Sequence, residues 1–191
     1  MKKFLLIIFF WVFIYSFGYS QVGIGAGGGL HYPGFSSSDN GNSKFNIGAG
    51  WDVFVRHRLI KINEDIIFHA RYSVSNYFSD IELVSIGNTR YYFSYLSVEI
   101  LTPIKKINSF SIVGGAGINL ISITAVQKYT EDTNESLFIP SILIGAEYWL
   151  NQNYNIFGNI NFQFGEFEDN EQNLPVNGLR FQVGATMFLT E

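Results

Sequence analysis

Eight segments of this chain alternate apolar and polar residues with period two. That period belongs to a β-strand, whose successive side chains point to opposite faces. The segments lie at 21–31, 44–56, 66–75, 90–101, 109–121, 138–150, 154–165 and 179–189. In the second, Phe45, Ile47, Ala49, Trp51, Val53 and Val55 share one face, against Asn46, Gly48, Gly50, Asp52, Phe54 and Arg56. The third sets Ile66, Phe68, Ala70, Tyr72 and Val74 against Ile67, His69, Arg71 and Ser73. The last sets Leu179, Phe181, Val183, Ala185, Met187 and Leu189 against Arg180, Gln182, Gly184, Thr186 and Phe188.

No apolar face in the eight segments carries a charge. Hydrocarbon enforces such a rule, because an Arg or Lys facing lipid at mid-membrane costs roughly 2–4 kcal/mol. Each segment also reaches or exceeds the ~9–11 residues that a tilted membrane strand needs. The pattern predicts an all-β fold: an eight-stranded antiparallel up-and-down transmembrane β-barrel, closed so that no strand edge stays unsatisfied in lipid.

The N-terminus fits this destination. Lys2 and Lys3 precede the uncharged run Phe4–Phe17, and Gly18-Tyr19-Ser20 places small residues for a cut after Ser20. The run falls short of the ~20 residues of a spanning helix, so residues 1–20 read as a cleaved signal peptide and 21–191 as the barrel domain. The chain has no cysteine, which excludes a lipid anchor, disulfides and thiolate metal sites. Loss of Lys2 and Lys3 takes the 12 basic residues to 10 against 16 acids, a net charge of about −6. Nucleic acid is thereby disfavoured as a partner.

The connections alternate in length: long polar links near 32–43, 76–89, 122–137 and 166–178, shorter ones at 57–65, 102–108 and 151–153. Long loops outside and short turns in the periplasm are the outer-membrane arrangement. A soluble lipocalin-like barrel would turn the same apolar faces inward. Its exterior would then hold many glycines and few charges, which is thin for a solvated surface.

With these features the chain resembles the small outer-membrane β-barrel proteins of the Bacteroidota, the class that includes PorT-like and OmpX-like barrels. The resemblance rests on the Ser20-Gln21 junction, the strand count, the glycine-rich first strand Gly23–Gly29 and the closing strand Gly178–Leu189. It implies export, insertion by the barrel-assembly machinery, and contact with outer-membrane lipid and lipopolysaccharide. Assembly signals of this class usually end in an aromatic residue, whereas this chain ends in Glu191.

The polar faces carry Asp52, Arg56, Arg71, Glu99, Glu147 and Arg180, three acids and three bases. Eight strands leave an interior just wide enough for side chains to fill. Unpaired buried charge is expensive, so a mutually paired network plugging the lumen is expected. Asp52, Arg56, Glu99 and Glu147 are expected toward the periplasmic end. Tyr91, Phe93 and Tyr95 are expected to reach across to the glycine track Gly23, Gly25, Gly27 and Gly29.

Outside the membrane, Tyr77, Phe78, Ile81 and Leu83 make an unusually apolar second loop, read as a ribbon prolonging the strands or as a rim that meets a protein partner. The fourth loop is acidic, with Glu166, Glu168, Asp169 and Glu171, and could share divalent cations with lipopolysaccharide, since hard cations prefer oxygen ligands.

Other motifs carry little chemistry. Gly23, Gly25 and Gly28 match G-x-G-x-x-G, but no strand precedes them and no helix follows. His31, His57 and His69 fall on separate segments without metal-ligand spacing. His69 and Ser73 share a face, but Arg71 separates them and no acid adjoins. No cofactor is expected. The reading that follows is a non-enzymatic barrel acting through its external loops in envelope structure, adhesion or assembly. A small-solute channel is the alternative, and a lipid-modifying enzyme the third.

Overall fold

The computed structural model describes residues 21–33, 43–45, 47–62, 66–83, 87–126, 133–169, 172–175 and 178–189. Its elements are β1 (Val22–Pro33), β2 (Ser43–Phe45), β3 (Gly48–Lys61), β4 (Ile67–Leu83), β5 (Gly87–Ile107), β6 (Phe110–Val126), β7 (Thr133–Trp149), β8 (Tyr154–Gln163), β9 (Glu166–Asp169), β10 (Gln172–Pro175) and β11 (Gly178–Leu189). The expected signal segment 1–20 and the terminal Glu191 lie outside the described residues.

Eight of these strands form one closed antiparallel ring. Each pairs with its neighbour in order, β1–β3–β4–β5–β6–β7–β8–β11, and β11 returns to β1 from Val22↔Leu189 to Pro33↔Gly178. This is the predicted all-β closed barrel. From Gly27, the paired rung runs one way through Asp52, Ser75 and Tyr95 to Ile121. The other way it runs through Gly184, Phe157 and Glu147 to Ser111. The two ends meet on β6 ten residues apart, the stagger that closure demands of tilted strands.

The apolar faces point outward. Ile24, Val53, Val74, Leu96, Ile142 and Val183 are all exposed, and around a closed barrel that exterior is a belt suited to lipid. Asn76 and Ser94 interrupt the belt as direct cross-strand partners, and Ser94 Oγ donates to Asn76 Oδ1 at 2.5 Å. Each satisfies the other, which lowers the cost of placing both in an apolar setting. The β5–β6 connection is a two-residue turn, with Asn108 at φ 51°, a backbone that Asn tolerates better than most residues.

The strands run further than alternation indicated. β4 and β5 stay paired through Asp80↔Arg90 and Ile81↔Thr89 to Leu83↔Gly87, so the second link is the prolonged ribbon. β6 continues to Val126 and β7 begins at Thr133, which replaces most of the expected 122–137 link with strand. In the fourth link, β9 and β10 pair as a separate hairpin. The outcome is an uneven mouth. β5 has 21 residues whereas β8 has 10, and beyond the end of β3 the top of β4 is paired by β2, from Phe45↔Ile81 to Ser43↔Leu83.

Candidate functional site

Inward positions on every strand fill the lumen, and their chemistry changes from bottom to top. At the end with the short 150–153 turn, Trp149 stacks on Phe188 with ring centroids 5.0 Å apart, and the Arg56 guanidinium lies 5.8 Å from the Phe188 ring. Arg56 pairs with Glu147 across the barrel, both nearly excluded from solvent. Leu101, Val113 and Leu143 form an apolar cluster on the inner wall.

Further up, Arg71 takes two acids. It hydrogen-bonds Asp52 and lies 3.4 Å from Glu99, whose other oxygen accepts from Asn161 Nδ2 at 2.8 Å. The same guanidinium sits over Phe54 at 4.2 Å and near Phe157 at 5.5 Å. With its amide oriented to suit its neighbours, Asn159 accepts from Arg71 Nη1 at 3.2 Å. A planar, always-charged fork suits this position, since it bridges two carboxylates and stacks on rings at once.

Above this layer the partners are neutral. Arg180 donates to Ser75 Oγ at 3.3 Å and to Asn119 Oδ1 at 3.1 Å, and lies 4.4 Å from the Tyr95 ring centroid. Gln163, oriented by the same logic, accepts from Arg180 Nε at 3.0 Å. Asn119 also accepts from Ser97 Oγ at 2.5 Å. Tyr95 OH meets His31 Nε2 at 3.2 Å, and Gln182 Nε2 donates to Tyr77 OH at 3.1 Å. His31 packs among Tyr77, Phe93 and Tyr95, with centroids 4.8–5.9 Å apart.

All six inner charges therefore point into the lumen and are buried, but they do not pair one to one. Arg71 holds two carboxylates, whereas Arg180 meets none within ion-pair distance among the described residues. Arg56 and Glu147 lie toward the end that carries the short 150–153 turn, while Asp52 is opposite Gly27, halfway along β1. The reason is register: a stagger of ten residues brings together positions that strand-by-strand reading places at different heights.

Two expectations about packing are corrected. Phe54 and Phe188, not Phe93 and Tyr95, occupy the space over Gly25 and Gly23 of the glycine track. A Cβ added at Gly25 would lie 2.1 Å from Phe54, and one at Gly23 would lie 2.8 Å from Phe188. Phe93 and Tyr95 instead meet His31, the next inward residue above the track. The side chain of Tyr91 lies outside the described residues.

The proposed rim surface is also revised. Tyr77 is 1 % exposed and faces the lumen, because it continues the inner series Arg71, Ser73 and Ser75 on β4. Phe78 is exposed on the outer face. The side chains of Ile81, Leu83, Glu166, Glu168 and Asp169, and all of Glu171, lie outside the described residues. His69 and Ser73 share the buried inner face. Sequence reasoning overlooked the neutral polar set Ser75, Asn119 and Gln163. Its signal was present, since each sits at inner parity on an alternating strand.

A closed ring of eight strands, apolar outside and tightly filled inside, invites comparison with solved structures. The chain has the fold of the small outer-membrane barrels. Neisserial surface protein A superposes with a TM-score of 0.54 at 10% identity, over 88% of this chain and 96% of that one. The Pseudomonas aeruginosa outer membrane protein OprG gives 0.58 at 9% identity, over 90% and 95%. Ail, the attachment invasion locus protein of Yersinia pestis, in complex with the heparin analogue sucrose octasulfate, gives 0.51 at 12% identity, over 89% and 97%. No family model matches the sequence, and no curated protein does either. At these identities the barrel shares its architecture with its neighbours and not its side chains.

Proposed function

We propose that the chain is an exported, non-enzymatic protein of the bacterial outer membrane, cut after Ser20, whose plugged lumen serves as a scaffold for its rim. The observation that carries this reading is the Arg71 layer. One guanidinium, held by Asp52 and Glu99 and stacked on Phe54, spans an interior only a few side chains wide. Moving it aside would leave two carboxylates and a cation unpaired in a medium that penalises each. A lumen built this way braces the barrel and leaves the exposed loops to meet other molecules.

Within the outer-membrane class, the Ser20-Gln21 junction, the glycine-rich first strand and the alternating closing strand favour the PorT-like and OmpX-like barrels of the Bacteroidota. The partners at the rim differ in chemistry from the one seen on Ail, a sulfated sugar. Here the fourth loop carries Glu166, Glu168, Asp169 and Glu171 in a mature chain of net charge about −6. A polyanion would be repelled. A protein with a basic face, or lipopolysaccharide bridged by divalent cations, is accommodated.

Ion conductance of the purified protein in a planar bilayer tests the reading, with insertion verified by a heat-dependent gel shift. A folded, silent barrel is the expected result. Steady conductance steps would remove the plug and make Arg71, Glu99 and Glu147 pore-lining residues of a small-solute channel.

A further inference from the structure

The base of the β5–β6 hairpin combines two features that oppose each other in a membrane strand, exposed apolar side chains and lysine. Ile104 is 64 % exposed, and Ile107 and Phe110 are exposed beside it. Lys105 and Lys106 stand among them, both exposed. They are the only charged residues from Ile100 to Val126.

A bulge decides where each lysine lies. The register shifts between Pro103 and Lys105 and leaves Ile104 as the extra residue. Without that shift Lys105 would continue the inner series Glu99, Leu101 and Pro103. With it, Lys105 is opposite Ile112, an outer-face residue between the buried Ser111 and Val113, and Lys106 is opposite Ser111 on the lumen side. Bulges re-aim side chains in this way, and here one lysine is turned to lipid and the other to the lumen opening. Two residues nearer the turn, the outer rung reads Ile107, Phe110 and Tyr148, all exposed. A tyrosine, apolar along its ring and polar at its tip, suits the membrane–water interface. Lys105 therefore starts on the hydrocarbon side of that level, and its long stem can carry the ammonium back to it.

The surrounding strands offer these lysines no acid. Neither makes an ion pair among the described residues. Glu147, opposite Ser111 on β7, faces the lumen and is held by Arg56. The β3–β4 hairpin carries Arg58 and Lys61 with Glu64 and Asp65, so its charges balance, and the two acids lie outside the described residues. β11, which leads to Glu191, is separated from β6 by β7 and β8.

We propose that Lys105 holds the phosphate of an anionic phospholipid at this end of the barrel. Its acyl chains lie against Ile104, Ile107 and Ile112, and Lys106 adds its positive field from the lumen opening. A lysine turned to lipid is best matched by an anion that belongs to the bilayer, because the two meet at headgroup level while the apolar side chains stay in hydrocarbon. An acidic peptide would supply the charge only by displacing lipid from Ile104 and Ile107. With the long links outside, as in outer-membrane barrels, this end meets the periplasmic leaflet. The inference is independent of the rim reading and of whether the lumen conducts.

The test is native mass spectrometry of the folded barrel, released from mixed micelles holding equal dioleoyl phosphatidylglycerol and dioleoyl phosphatidylcholine. Retention of phosphatidylglycerol in preference to phosphatidylcholine is expected. Lys105→Gln should cut that retention by about fivefold, the scale of one lysine beside an anionic surface, and Lys105→Arg should keep it. Lys61→Gln, on the hairpin whose charges balance, should leave it unchanged. Raising ammonium acetate toward about 1 M should erase the wild-type preference by screening, which covers the case in which Lys105→Gln does not fold. Equal retention of the two lipids by the wild type would overturn the charge argument. Equal retention of phosphatidylglycerol by the wild type and Lys105→Gln, or an equal loss in Lys61→Gln, would overturn the site. Displacement of the lipid by millimolar glycerol 3-phosphate would show a free-phosphate site and overturn the lipid as its occupant.

Discussion

The lower and upper halves of the lumen are both fully packed, but they hold their arginines in different ways. Below, Arg56 and Arg71 are matched by carboxylates, and removing any partner strands a full charge in the interior. Above, Arg180 rests on hydroxyl and amide oxygens and a phenol ring, so each partner is individually dispensable. The lower half is thus a brace with little freedom to change. The upper half is a polar lining that can exchange one acceptor for another.

The largest effect should come from Arg71→Met, which leaves Asp52 and Glu99 facing each other without a cation. Breaking a buried pair from one side costs about 3–5 kcal/mol, and here two acids are affected. Guanidinium unfolding in short-chain lipid vesicles, followed by Trp51 and Trp149 fluorescence, should show the midpoint falling sharply or the barrel failing to insert. A variant as stable as the parent would mean that the ionic layer braces nothing.

Glu147→Gln should rank second. It strands Arg56, but the Phe188 ring and a neutral amide remain beside it, so a loss of about 2–3 kcal/mol is expected in the same titration. The smallest effect belongs to Arg180→Gln. Its neighbours are neutral and can bond to the new amide, so the cost should stay near 1 kcal/mol, about one net hydrogen bond. If Arg180→Gln proved as damaging as Arg71→Met, the two halves would not differ in kind.

Much of this architecture is legible in the residue order. Alternation at Trp51–Val55, Phe68–Val74 and Leu179–Leu189 assigns each side chain to lipid or lumen, because the period of two belongs to the backbone itself. Continuing the same alternation past Ser75 would have put Tyr77 inside with Arg71 and Ser73. It reads as a loop residue only because the third segment is ended at 75 and the link begun at 76. Partner choice inside the lumen was not legible. Whether Arg71 meets Glu99, or Phe54 covers Gly25, depends on the stagger of the closed ring, and no local stretch of sequence records that number. The lengthening of β4 and β5 was half visible, in the apolar residues that continue past 76.

The seam between β1 and β11 has a consequence for how the molecule is made. It zips together residues from opposite ends of the chain, Val22 with Leu189 and eleven pairs beyond, and no shorter-range contact can stand in for it. Folding rates fall as contacts become more distant along the chain, so completion waits until the last strand is available. Until then both edges lie open and every lipid-facing side chain is exposed to water. A polypeptide in that condition invites edge-to-edge aggregation. Its survival in transit depends on being held apart from its own copies for as long as the ring is incomplete.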